Sequence, residues 1–82
     1  MKDRHSEAVA IGRRIRELRE RNGWSQDTFA QKVGVDHSHF GMWERGDHIP
    51  RVLVLARICD VGGCTMDWVC GRVEPLRPQP AR

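Results

Sequence analysis

Glycine punctuates this chain at positions 23, 34, 46, 62, 63 and 71, and no stretch between those positions alternates as a strand would. Glycine is the usual residue where a chain leaves a helix through the left-handed region, so this spacing predicts an all-α fold of about five short helices. The whole sequence is 82 residues, one small domain with a thin core. Within it, Ala8, Ile11, Ile15 and Leu18 form one apolar stripe on a first helix, with Arg13, Arg14, Arg16, Glu17, Glu20 and Arg21 on the other faces. Asn22-Gly23 ends that helix. Ser25 is placed to cap a second helix, which buries Phe29, Ala30 and Val33 and stops at Gly34. Asp36 caps a third, with Phe40 and Trp43 inward, and Gly46 closes it.

The segment Asp47-His48-Ile49-Pro50 reads as a loop, with Pro50 near a helix start, where its missing N–H does no harm. A fourth helix is predicted over about residues 51–61, burying Val52, Leu55, Ile58 and Cys59. Thr65 caps a short fifth over 66–70. The expected organisation is a flexible arm over 1–7, a folded domain over 8–71 and a flexible proline-rich tail over 72–82.

Composition excludes several classes. With 39% hydrophobic and 30% charged residues the chain is neither disordered nor membrane-embedded. Its longest apolar run, Val52 to Ala56, ends at Arg57, far short of the roughly 18 residues a span needs. No secretory signal is visible, so a cytoplasmic protein is expected. The cysteines, Cys59, Cys64 and Cys70, are odd in number and lack a CxxC pair, which fits neither a closed disulfide framework nor a zinc site. Cys59 and Cys64 are expected as small buried hydrophobes. His37 and His39 are too close in a helix to chelate from one face. No phosphate loop and no nucleophile–base pairing is present, so neither enzyme activity, cofactor nor metal is expected. The net charge of +3 resides in residues 1–21, where seven Lys and Arg face four Asp and Glu; the rest of the chain balances. That bias permits an anionic partner without demanding one.

The functional argument rests on Ser25 to Gly46. Two short helices joined by the tight Gly34-Val35-Asp36 turn cross steeply over a common core, and the second protrudes far enough to enter a DNA major groove. Here the sequence closely resembles the phage repressor and Cro type of helix-turn-helix domain, the lambda-repressor-like or XRE family. The matching stretches are Ile11-Gly12-Arg13-Arg14-Ile15-Arg16-Glu17-Leu18-Arg19, Trp24-Ser25-Gln26 through Phe29-Ala30 to Val33-Gly34-Val35, Trp43-Glu44-Arg45-Gly46 with Ile49-Pro50, and Thr65-Met66-Asp67-Trp68-Val69. They cover about residues 9–71 in the family's order and spacing.

The resemblance implies a sequence-specific regulator of transcription, expected as a repressor, that reads double-stranded DNA with helix 3, as a homodimer on an inverted repeat. It implies that Gln26 grips a phosphate and braces a recognition-helix side chain, and that Glu44 pairs with Arg19 as a structural lock. His37, Ser38 and Met42 occupy the positions from which family members touch base edges, with His39 on the flank. Ser25, through its backbone N–H, and Arg45, His48 and Arg51 are the further phosphate candidates. Trp68 is the expected dimer contact, since so short a fifth helix needs Met66 and Val69 inward.

The third helix also departs from the family pattern. It has no Arg, Gln or Asn placed for bidentate base contacts, and Gly41 lies inside it. Residues 36–51 sum to −1, with Asp36, Glu44 and Asp47 against Arg45 and Arg51. These features keep a second reading open, a protein-interaction module that retained the fold but lost operator binding. A third, an antitoxin or the controller of a restriction system, has the same size and fold.

Overall fold

The computed structural model describes residues 4–73. Among them are five helices and no strand: α1 (Arg4–Arg21), α2 (Gln26–Val33), α3 (His37–Arg45), α4 (Val52–Gly62) and α5 (Met66–Val69). Among the described residues no helix is long and apolar enough to cross a membrane.

The local signals act as their chemistry dictates. Ser25 Oγ accepts from the Thr28 N–H at 3.0 Å, Asp36 Oδ1 from the Ser38 N–H at 2.9 Å and Thr65 Oγ1 from the Trp68 N–H at 3.1 Å. Each satisfies one N–H that its helix cannot. At the other end of α2, Gly34 sits at φ 88°, a left-handed conformation that a Cβ would strain. From there the N–H groups of Gly34 and Val35 both reach the Ala30 carbonyl, which turns the chain sharply into α3.

Packing then fixes the helices around one core. Phe29 and Phe40 are fully buried, each contributing about 1.5–3 kcal/mol of apolar burial. Their rings form a relay from Trp24 through Phe29 and Phe40 to Trp43, with centroid separations of 5.2, 4.8 and 5.2 Å. Lys32 Nζ lies 5.0 Å above the Trp24 ring and covers its outer face. α1 and α3 meet closely at Gly12. A Cβ there would stand 2.8 Å from the Glu44 carbonyl oxygen and closer still to that of Trp43, so only glycine lets the two helices meet.

Four details differ from expectation. The helix expected from residue 8 begins at Arg4, so residues 4–7 of the expected arm are the first turn of α1. The rest of that arm, residues 1–3, lies outside the described residues, as does the tail from 74 onward; Arg72 is held by Asp67 at 3.2 Å. Val52 is 68% exposed rather than buried, because the first turn of α4 runs past the edge of the core that Leu55 and Ile58 enter. Trp68 is the reverse case. Its ring is 2% exposed in the core beside Val69, because both turn inward on the four-residue α5, so the ring offers no surface to a partner.

Cys59 and Cys64 are buried at the α4–α5 corner and Cys70 is exposed. Cys59 occupies the last turn of α4 and Cys64 follows Gly63, and the Cys64 N–H donates to the Cys59 carbonyl at 3.0 Å. This helix exit brings the two side chains together as its usual apolar contact. Hydrogen bonding to Cys59, reinforced by burial, pushes the Cys64 thiol far above its ordinary value, so it stays protonated.

Candidate nucleic-acid interface

The helix-turn-helix is held at its centre by one carboxylate. Glu44, at the end of α3, accepts from Arg19 of α1 through both oxygens, at 2.6 Å from Nε and 3.0 Å from Nη2. The two side chains are 16% and 6% exposed. The Glu44 hydrogen bonds raise the Arg19 guanidinium above its ordinary value despite partial burial. The third Arg19 donor, Nη1, reaches the Trp24 carbonyl at 3.0 Å and ties in the loop before α2. From α2, Gln26 Nε2 donates to the same Glu44 oxygen at 3.1 Å. Three helices therefore converge on one buried anion whose lone pairs are well used, and this sets the angle at which α3 leaves the body.

With Phe40 and Trp43 pointing in, the outer face of α3 carries Ser38, Gly41, Met42 and Arg45. Gly41 has a reason for being there that the sequence alone conceals. A Cβ at this position would lie 3.1 Å from Arg45 Nη1 and 3.8 Å from Gln26 Oε1. The bare glycine thus seats the Arg45 guanidinium beside the Gln26 amide, so two of the phosphate candidates share one edge of α3. Asp47 restrains Arg45 from the side, 3.0 Å from its Nε.

The other candidates divide between two flanks. His37 leans toward α2 and lies between two carboxylates, with Nδ1 3.4 Å from Asp27 Oδ1 and 3.9 Å from Asp36 Oδ1. His39 leans the other way and packs against the Trp43 ring at 5.8 Å. Met42, His48 and Arg51 line a cleft between α3 and α4 together with His39.

Two hydroxyls are committed locally. Ser38 Oγ donates to Asp36 at 2.9 Å, and Ser25 Oγ donates to Thr28 Oγ1 at 3.0 Å. Both keep acceptor capacity only, unless those bonds are exchanged. The backbone and side-chain hydrogen bonds from Ser38 hold the Asp36 carboxyl below its ordinary value. Among the described residues no three His, Cys, Asp or Glu side chains gather as a metal site.

This geometry defines a class: a lambda-repressor-like helix-turn-helix domain, with α2 as support and α3 as the projecting helix. Comparison with known proteins agrees. The model of a helix-turn-helix domain family matches residues 10–67. An uncharacterized HTH-type transcriptional regulator of Bacillus subtilis (strain 168), YazB, is 36% identical over 74% of this chain and 88% of its own. A second from the same organism, YgzD, is 34% identical over 68% and 85%. Among solved structures, the restriction-modification controller protein C.AhdI from Aeromonas hydrophila superposes with a TM-score of 0.67 at 33% identity, over 70% of this chain and 86% of that one. An HTH_3 family transcriptional regulator from Vibrio cholerae gives 0.68 at 28% identity, over 73% of this chain and 34% of that one. The chain belongs to the XRE-like helix-turn-helix family of DNA-binding transcriptional regulators.

Proposed function

We propose that this protein is a repressor that lays α3 in the major groove of double-stranded DNA, with two copies reading an inverted repeat. The observation that carries this reading is the Glu44 cluster. Bonds from α1 and α2 to one carboxylate fix α3 while leaving Ser38, Met42 and Arg45 on its outer face. Preorganised donors lose little freedom on meeting a phosphate, which is what a DNA-reading helix needs.

In this reading Gln26 and Arg45 grip one phosphate region from their shared edge. His48, Arg51 and the backbone N–H of Ser25 add further phosphate contacts. Ser38 and Met42 face base edges, with His37 and His39 on either side. Ser38 discriminates weakly and Met42 offers only apolar contact, so base-specific hydrogen bonding is sparse. Affinity then depends heavily on phosphates and on a second copy.

Selection on random duplex DNA, followed by anisotropy at two salt concentrations, tests this. An enriched inverted repeat with steep salt dependence is the expected result. No enrichment, with weak binding that salt abolishes, would favour the protein-interaction module. The likeness to C.AhdI, which spans 86% of that protein, supports a second reading, the controller of a restriction system.

A further inference from the structure

The sulfur atoms of this chain are not spread evenly. All three cysteines and one of the three methionines, Met66, fall between residues 59 and 70, at the corner where α4 gives way to α5. There α5 packs against α4 and α1, and none of these four residues has a part in the DNA reading above. The helix exit at Gly63 sets the Cys64 side chain on Cys59. Cys59 Sγ in turn donates to Met66 Sδ at 3.7 Å. Cys59 and Cys64 are 2% and 0% exposed, and Met66 is half-buried. Cys70 comes one turn after Met66 on the same side of α5, its N–H donating to the Met66 carbonyl at 3.0 Å, and it is exposed. The sulfurs therefore form a ladder from solvent at Cys70, through Met66, to Cys59 and Cys64 in the core. Packing asks only for apolar volume at these positions, which alanine, valine or leucine would supply. Three adjacent soft donors are more than packing requires.

We propose that Cys59, Cys64 and Met66 form a binding site for a soft monovalent cation, Cu(I). Thiolate and thioether sulfur are the donors that such an ion selects over oxygen and nitrogen. The spacing suits it as well. Three sulfurs in a plane around one ion, each at roughly 2.3 Å, stand about 4 Å apart. Cys59 and Met66 are already near that separation. The contact between them is a weak S–H to sulfur hydrogen bond, so exchanging it for metal bonds costs little. On binding, a bond forms between the cation and Cys59 Sγ, the S–H bond breaks, and its proton passes to solvent. Met66 adds an uncharged thioether and Cys64 the third sulfur. One proton is exchanged for one monovalent cation, so the corner keeps the charge it had. That matters here, because Leu55, one turn before Cys59, and Val69 beside Trp68 are buried and apolar. Zinc does not fit: it takes four donors, and among the described residues no three His, Cys, Asp or Glu side chains gather. Cys70 and Met66 mark the way in from solvent, each offering a sulfur to a passing ion.

Anaerobic titration of the reduced chain with Cu(I), in competition with the colorimetric chelator bicinchoninate, tests this without DNA. One equivalent per chain should leave the chelator, with a near-ultraviolet thiolate-to-copper absorption. The melting temperature should rise, since only the folded chain holds the three sulfurs together. Zn²⁺ should neither compete nor shift the melting temperature. Cys70→Ser should keep the full equivalent, and Cys59→Ala should lose it. Met66→Leu removes the thioether at nearly constant volume, so it decides the matter even if Cys59→Ala fails to fold. Its metal-free melting temperature should match the wild type while its Cu(I) affinity drops by about 10-fold or more. A chain that takes no Cu(I) from the chelator overturns the proposal, as does undiminished affinity in Met66→Leu or displacement by zinc. Loss of the equivalent in Cys70→Ser would place the ion on the exposed thiol and overturn it equally.

Discussion

The start of α3 and the start of α4 are built on opposite principles. At α3, Asp36 accepts from the Ser38 N–H, and the far end of the helix is anchored through Glu44 to α1 and α2. At α4, Arg51 occupies the cap position and makes no side-chain cap bond, and the two residues that follow are exposed hydrophobics. One helix is completed from within the chain. The other begins without a side-chain cap and leaves Val52 and Leu53 exposed. The difference teaches where rigidity matters to this domain: in the angle of the projecting helix, not in the loop that leaves it.

The strongest way to break this contrast is to pry α3 off α1. Gly12→Ala puts a methyl group against the carbonyls of Trp43 and Glu44, both backbone atoms that cannot swing aside. A loss of about 3 kcal/mol is expected, at the upper end of overpacking costs, seen in urea denaturation. A loss under about 0.5 kcal/mol would mean the helices separate freely, and α3 would not be held as described. Next in size is Glu44→Ala, which strands Arg19 and releases Gln26. Deeply buried pairs cost about 3–5 kcal/mol when one partner goes, and the 16% exposure of Arg19 lowers the expectation to about 2–3 kcal/mol. DNA binding should weaken further than the unfolded fraction explains, because Gln26 and the α3 angle both change.

How much of this was legible beforehand follows the range of each interaction. Ser25, Asp36 and Thr65 as caps, and Gly34 and Gly46 as exits, act over one helical turn, so neighbouring residues reveal them. The Arg19–Glu44 pair joins residues 25 apart and came only from the family resemblance. The reasons for Gly12 and Gly41 were hidden, since each depends on what another element places opposite it. Val52 and Trp68 depart from expectation for a related cause. Periodicity says which residues share a face, but not where the core stops. At the first turn of α4 the inward face has nothing to cover it, while α5 is short enough to turn both Trp68 and Val69 inward.

A smaller effect sharpens the α3 side of the comparison. Asp36 is held below its ordinary value by the Ser38 hydrogen bonds, so its cap is fully stabilising above the unfolded aspartate range. That contribution disappears as pH falls through the lowered folded value. Asp36→Ala should therefore cost a modest amount of stability near neutrality and progressively less under acid. A difference that stayed constant from neutral pH down past the aspartate range would show that the carboxylate is not the source.

The smallest effect tests α4, and it should carry opposite signs in two measurements. Arg51→Ser supplies the side-chain oxygen that the start of α4 lacks, and a good cap is worth about 0.5–1 kcal/mol. The melting temperature should rise. If Arg51 meets a phosphate, the same change weakens binding about equally on all DNA sequences and reduces the salt slope by about one. A rise in stability with no loss of affinity would remove Arg51 from the DNA surface. A loss of affinity without a gain in stability would show that the first N–H groups of α4 are already satisfied by water. Obtaining both would mean that at residue 51 the domain forgoes stability for contact with a phosphate.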